Sequence, residues 1–398
     1  MHLPIQLSEK VFSWASIIDK TTQDQATSLA SLPVINPHIA LMPDAHAGLG
    51  SAVGTVIPTV GVVIPAAVGV DIGCGMIAAR TSYTTADLKG LDLVRLRDAL
   101  EHAIPMSAGN YNSTLNRFPF TQERIIELEK LAAPNSSTFE VDLSHSPNWR
   151  LQLGTLGGGN HFIELCADEQ DRLWLFLHSG SRGVGNKIAR VHINAAKDQC
   201  RSEKIALENQ DHAYLREGTL AFDKHLRELE WAQHFALLNR EEMMDRFAWA
   251  LADFMGIKNI GEVERINAHH NYTEKILIDD LEVYLTRKGA IDASAGKPGL
   301  IPGSMGDRSY IVEGLGNAQA LWSAPHGAGR ALSRTAAKKA FTIQDLQDAM
   351  GDIVYKPGRA WIDEIPSAYK PIETVMRDAR SLVKIRHTLR QLVNVKGL

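Results

Sequence analysis

The sequence predicts an α/β protein, mixed α+β in character, in which strand-like and helical stretches intermix along the chain. Val53–Val63 is β-branched and bounded by Gly and Pro, Leu173–Leu177 is a short apolar run, and Val283–Thr286 and Leu389–Val395 also read as strands. Helical spacing appears in the second half of 85–102 (Leu93, Leu96, Leu100), over 121–131 and over most of 187–254. The 398 residues are 44% hydrophobic and 22% charged, a balance that fits a soluble protein with a large core.

Taken in order, residues 1–40 carry mixed signals, with a short helix expected at Ser13–Ile18. Leu41–Gly50 reads as a loop presenting Asp44 and His46 beside small residues, and Val53–Val63 as paired strands. These lead into Pro65–Arg80, where an apolar run is broken by Asp71 and Cys74 among Gly69, Gly73 and Gly75. A glycine-rich bend can aim a carboxylate and a thiol at one point. The same residues also read as a buried strand and turn, with Cys74 a small hydrophobe. Thr84 or Thr85 is a plausible cap for the next helix, and Pro134–Arg150, rich in Ser, Asn and Pro, reads as loop.

Leu151–Leu165 brings Asn160 and His161 out of a triple glycine into a strand, with Glu164 three residues on. Bare glycine N–H groups suit phosphate, although neither the Walker pattern nor the dinucleotide fingerprint is present. The strand 173–177 ends at His178, ahead of a glycine-rich basic loop and a helix start with Arg182 and Lys187 nearby. His269 and His270 stand side by side before a polar turn, and 298–307 is a stiff Gly/Pro loop. A helix beginning near Gly329 would align Arg330, Arg334 and Lys338 on one face, just after His326. Alone, that stripe reads more readily as a solvated helix face.

Bulk charge is −4, which does not advertise a nucleic-acid binder but allows a local basic groove. Three cysteines argue against a disulfide framework. The first ten residues lack the pattern of a signal peptide and no apolar run is long enough to span a bilayer, so a cytoplasmic protein is expected. Asp71, Cys74, His161, His178 and His270 form a carboxylate–thiolate–imidazole set suited to a transition metal. Their wide separation excludes a zinc-finger knuckle and requires much of the chain to fold as one unit. Ligand softness alone favours zinc. Metal, cations and glycine-rich loops together suit phosphoryl transfer, and a histidine outside the ligand set, His326, can serve as nucleophile.

Val70-Asp-Ile-Gly-Cys-Gly-Met, Gly154-Thr-Leu-Gly-Gly-Gly-Asn-His-Phe-Ile-Glu, His178-Ser-Gly-Ser-Arg-Gly and His269-His-Asn resemble motifs of the RtcB family of RNA ligases. Arg287-Lys-Gly-Ala, Ile301-Pro-Gly-Ser-Met-Gly, His326-Gly-Ala-Gly-Arg and Ala368-Tyr-Lys continue the resemblance in order, from about Met42 to Gly397. It implies one compact α/β domain over 1–398, with mixed sheets flanked by helices. The implied activity is GTP- and Mn²⁺-dependent joining of an RNA 3′-phosphate or 2′,3′-cyclic phosphate end to a 5′-hydroxyl end, in RNA repair or tRNA splicing. By motif position Asp71, Cys74, His161, His178 and His270 would hold two Mn²⁺ ions, against the softness argument, and His326 would be guanylylated. Asn160, Glu164, Gly303, Ser304, Met305, Gly306, Gly329, Tyr369 and Lys396 would bind GTP. Arg182, Lys288, Arg330 and Arg334 would bind RNA or GTP phosphates. A monomer is expected, with an archease-like activator compatible with the family but not demanded by the sequence.

The chain departs from the family pattern at Ala45, at Leu49 (where many bacterial members carry lysine), at Pro325 and at the extra Leu398, which reads as a divergent bacterial paralogue. Two alternatives stay open. One is a paralogue that guanylylates or hydrolyses RNA ends and seals poorly; the other is a non-catalytic RNA-binding repair adaptor.

Overall fold

The computed structural model describes residues 4–107, 109–134 and 139–397, so Leu398 lies outside the described residues. Its architecture is α/β, as the alternation of patterns predicts. A seven-stranded sheet runs in the order Glu264–His269, Gly75–Thr84, Arg172–Ser179, Phe162–Ala167, Val383–Lys396, Ser309–Gly314, Pro298–Ile301. A six-stranded sheet runs Ile5–Ser8, Val11–Ser13, Ile39–His46, Val53–Thr59, Leu281–Lys288, Asn271–Ile278. The chain passes from one sheet to the other at His270, between Glu264–His269 and Asn271–Ile278.

Antiparallel register does most of the positioning. Gly75 pairs with both His269 and Ser179, His178 with both Met76 and Phe162, and Phe162 with Lys396. Residues far apart in sequence thereby reach one end of one sheet. In the other sheet Lys288 pairs with Asn271 and Thr55, next to that end.

The helix Leu220–Met255 backs the seven-stranded sheet. Thr219 caps its start by accepting from Phe222 N–H, and Gly256 ends it in the left-handed region at φ +67°. Met243, Phe247 and Leu251 recur every four residues and pack on Ile77, Leu175 and Leu177, all buried. A second helix, Arg182–Ser202, lies against it.

Several local expectations change. No helix forms at 13–18; Trp14 is fully buried and its N–H reaches Leu41 O at 2.9 Å. The helix starts later, at Lys20, because Asp19 caps it. Leu41–Gly50 is not all loop, since Ile39–His46 is a strand whose register shifts between Leu41 and His46, around Pro43. Val53–Thr59 and Val62–Val63 do not pair with each other; the shorter strand pairs with Leu215–Arg216. Residues 203–219 separate the two long helices. The expected helix at Gly329 begins instead at Arg334, capped by Ser333. Gly329 sits at φ +74°, and a Cβ there would come within 2.1 Å of Asp44 O, so close packing on the Asp44 strand wins over helix. Among the described residues no helix is long and apolar enough to cross a membrane.

Candidate active site

At the shared sheet end, Cys74 Sγ and ring nitrogens of His161 and His178 lie within 4.8 Å of one another. Cys74 Sγ is 3.1 Å from His178 Nε2 and 3.5 Å from His161 Nε2. His161 Nε2 is 3.0 Å from Asp71 Oδ2, and His178 Nε2 is 2.9 Å from His270 Nε2. The opposite ring nitrogens are all engaged. His161 Nδ1 meets Leu156 O at 2.9 Å, His178 Nδ1 meets Asn160 O at 3.2 Å, and His270 Nδ1 meets Asn271 Oδ1 at 3.2 Å. Asn271 is itself fixed, donating to Asp71 O and accepting from Gly289 N–H.

Carbonyl oxygens only accept, so each Nδ1 must carry the proton. The Nε2 atoms of His178 and His270 converge beside the Cys74 thiol, while His161 Nε2 faces the Asp71 carboxylate. Burial, and then neighbouring Asp71, push the Cys74 thiol up, so its thiolate requires a cation beside it. Burial pushes His178 and His270 well below their ordinary value, keeping both neutral as ligands must be. This donor set fits a divalent transition metal. Arg240, on the long helix and fully buried, holds the frame by donating to Gly73 O at 2.7 Å and Ser179 O at 3.1 Å.

His326 faces the same cavity, its ring centroid 4.5 Å from that of His270. Asp44, fully buried on the strand Ile39–His46, lies 2.6 Å from His326 Nδ1. The same Asp44 oxygen accepts from His326 N–H at 3.1 Å and Gly327 N–H at 3.2 Å. The contact is at ion-pair distance and out of line for a hydrogen bond, but the buried charge beside Nδ1 favours a proton there and leaves Nε2 the nitrogen free for chemistry. Lys370 fixes that strand by donating to Pro43 O at 3.2 Å and Ala45 O at 2.5 Å.

The cavity, about 310 Å³, extends from the metal-ligand residues to a wall of Asn160, Glu164, Gly303, Ser304, Met305 and Tyr369. Glu164 is buried, which pushes its carboxyl up to about 8 despite Lys396 nearby, and it accepts from Asn394 at 2.8 Å. Lys396 donates to Glu364 at 2.8 Å. Glu364 also takes Arg330 at 3.2 Å, Arg334 at 2.6 Å and the Tyr369 hydroxyl at 2.9 Å. Burial alone would raise the Glu364 carboxyl; Lys396 and then Arg334 bring it down to about 2. The basic stripe expected on one helix is thus a different object. Arg330 precedes the helix, stacks on the Tyr369 ring at 4.7 Å, and shares Asp363 and Glu364 with Arg334.

Most residues singled out in the sequence, including Gly329, Lys288 and Lys396, line this cavity. Three lie behind it. His161 is buried behind Asp71 and Cys74. Arg182 packs behind His161, its Nε donating to Thr155 Oγ1 at 3.2 Å. Gly306 turns away at φ +91° and packs on the helix Ile343–Met350, where a Cβ would come within 2.6 Å of Ala349 O. Lys288 lines the cavity, but its ammonium donates to Ser51 O at 2.8 Å and to Leu49 O.

The family model described as "tRNA-splicing ligase RtcB" matches residues 25–397. This chain belongs to the RtcB family. It is 44% identical to the RNA-splicing ligase RtcB1 of an Escherichia coli strain, over 96% of this chain and 95% of that one. To the RNA-splicing ligase RtcB of Escherichia coli K12 it is 43% identical, with the same coverage. To the tRNA-splicing ligase RtcB of Pyrobaculum aerophilum it is 27% identical, over 93% and 89% of the two chains.

Against the RtcB-like motifs, sequence reasoning missed four residues of the site: Asp44 as partner of His326, Asn271 behind His270, Glu364 among the cations, and Lys370. Asp44 was visible as a polar residue among small ones, but its partner lies 282 positions away. Asn271 directly follows the ligand residue His270, and its place in the His269-His-Asn stretch was its one signal.

Proposed function

We propose that this RtcB-family protein is an RNA ligase that joins a 3′-phosphate or 2′,3′-cyclic phosphate end to a 5′-hydroxyl end, using GTP and Mn²⁺. The observation that carries the reading is His326, seated through its backbone N–H by Asp44, whose charge also lies beside Nδ1, and facing the cavity that the convergent Asp71/Cys74/His178/His270 donors also line. His326 Nε2 attacks the α-phosphorus of GTP; the P–N bond forms and pyrophosphate leaves. An oxygen of the RNA 3′-phosphate then takes the guanylyl group, breaking the P–N bond. The 5′-hydroxyl oxygen attacks the RNA phosphorus and GMP departs with the bonding pair. A cyclic phosphate is first opened by water.

Asp71, Cys74, His161, His178 and His270 would hold Mn²⁺, which when bound neutralises charge on phosphate oxygens. Glu164, Asn160, Tyr369, Lys396 and the Gly303–Met305 wall enclose the nucleotide, with Glu164 and Lys396 on the guanine edge. Arg330 and Arg334 reach phosphates once these compete with Asp363 and Glu364.

That competition favours a second reading, a paralogue that guanylylates RNA ends and seals poorly, because the cations are already satisfied within the fold. Incubating the protein with GTP, Mn²⁺ and RNAs bearing the two kinds of end separates them. Joined product supports the ligase; guanylylated 3′-ends without product support the poor sealer; RNA binding without guanylylation leaves only an adaptor.

A further inference from the structure

Two steps of the proposed reaction release a proton. In guanylylation the attacking Nε2 lone pair carries none, and the 3′-phosphate oxygen that next takes the guanylyl group is already ionised. Opening of a cyclic end and sealing are different. Their nucleophiles, water and the 5′-hydroxyl, each lose a proton as the bond to phosphorus forms. Neither step has a proton acceptor among the roles given above.

Among the described residues that line the cavity, the other titratable groups are committed. Asp71, Cys74, His178 and His270 belong to the metal donor set, and His326 is the nucleophile. Burial keeps the Glu164 carboxyl protonated up to about 8. Glu364 is filled by Lys396, Arg330, Arg334 and the Tyr369 hydroxyl, and Lys288 spends its ammonium on two backbone carbonyls. His46 is left. It lines the cavity and is half-buried.

His46 ends the strand Ile39–His46 and pairs with Val53 of the next strand, which also lines the cavity. Its Nδ1 lies 3.0 Å from Asp44 O. A carbonyl only accepts, so Nδ1 carries the proton and Nε2 the lone pair. Among the described residues Nε2 has no hydrogen-bond partner. The backbone is fixed on both sides of the ring. Lys370 donates to Ala45 O at 2.5 Å, while Gln25 donates to Gly48 O at 2.7 Å and accepts from Gly48 N–H at 3.1 Å. The charged and titratable groups facing the ring are Asp44 on its own strand, His326 just after Ser323–Pro325, and Lys370 just ahead of Ile372–Asp378. Burial pushes the ring down to about 4; the Asp44 carbonyl and carboxylate oppose the fall, and His326 and Lys370 add to it. The ring therefore enters the reaction neutral, and a phosphate in the cavity strengthens its hold on a proton.

Resting on the ligase reading above, we infer that His46 Nε2 is the general base of the opening and sealing steps. In opening, the water oxygen forms its bond to the cyclic phosphorus and one water proton goes to Nε2. The bond from phosphorus to O2′ breaks, and O2′ keeps the electron pair and takes a proton from solvent. In sealing, the 5′-oxygen forms its bond to the phosphorus of the guanylylated 3′-phosphate and the hydroxyl proton goes to Nε2. GMP leaves with the electron pair, and Nε2 returns the proton to water.

The test is His46→Asn, whose amide nitrogen still donates to Asp44 O while the Nε2 lone pair is gone. Single-turnover rates in Mn²⁺ are compared with wild type for labelling of His326 by α-³²P-GTP, for hydrolysis of a 2′,3′-cyclic RNA end without GTP, and for joining of a 5′-hydroxyl strand to a separately prepared guanylylated 3′-end. Opening and sealing are expected to fall about 100-fold further than labelling. In wild type both should also slow toward acid pH, along a limb that His46→Asn lacks. Equal losses in labelling, opening and sealing would mean that His46 acts only through Asp44 and His326, and would overturn the assignment. Opening and sealing at the wild-type rate in His46→Asn, an acid limb kept by that variant, or a wild type that neither opens nor seals would overturn it too. Opening needs no GTP, so failure of the ligase reading, seen as absent labelling, stays separate from this outcome.

Discussion

Replacing Asp44 by Asn preserves shape while removing the charge that holds His326. In the wild type one buried carboxylate oxygen lies 2.6 Å from His326 Nδ1 and 3.1 and 3.2 Å from two backbone N–H groups. A neutral amide oxygen can still accept from those N–H groups, but without charge assistance and with no negative charge beside Nδ1. If the amide nitrogen turns toward the ring instead, it favours the tautomer with the proton on Nε2, which abolishes nucleophilicity there. Losing the charge assistance on the His326 and Gly327 N–H bonds that seat the ring is worth ~1.5–3 kcal/mol, so the rate of guanylyl transfer to His326 should fall by about 10–150-fold. Asp44 is fully buried and does not line the cavity, so GTP affinity should hardly move. Single-turnover labelling with radiolabelled GTP measures the rate, and equilibrium binding of GTP measures the affinity. Labelling of Asp44→Asn at the wild-type rate would refute the claim that Asp44 orients His326.

Other consequences are testable with the same protein. Stripping metal with EDTA should lower the melting temperature, and Mn²⁺ at a hundred times its Kd should restore about 2.7 kcal/mol; a melt indifferent to both would remove the metal from the account. Glu164, raised by burial from 4.5 to about 8, keeps its proton in the fold where the unfolded chain has lost it. Stability should therefore fall as pH rises across that window, and Glu164→Gln should flatten the fall in urea titrations. Arg240→Met removes the donors to Gly73 O, Ser179 O and Asn267 Oδ1. It should cost at least ~1–3 kcal/mol as a lower urea midpoint at unchanged m-value, and an unchanged midpoint would show that those acceptors find other donors.

The sheet strands were legible because short apolar and β-branched runs report local geometry, as at Leu173–Leu177 inside the strand Arg172–Ser179 and at Val53–Val63 around the strand Val53–Thr59. The ligand types were legible because Asp71, Cys74, His161 and His178 sit beside glycines or strand ends. Their convergence was not, since antiparallel register is a long-range property, and family resemblance supplied it. Arg330 and Arg334 show the opposite error. Spacing alone built a stripe on one helix, but the left-handed Gly329 broke that helix, and Asp363 and Glu364, some thirty residues on, took up the charge.

The most direct test of the account is incubation of the protein with α-³²P-GTP and Mn²⁺, beside His326→Ala. The account predicts label that survives denaturation, is lost in acid and is missing from His326→Ala. Label retained by His326→Ala, or no label on wild type under any divalent metal, would contradict it.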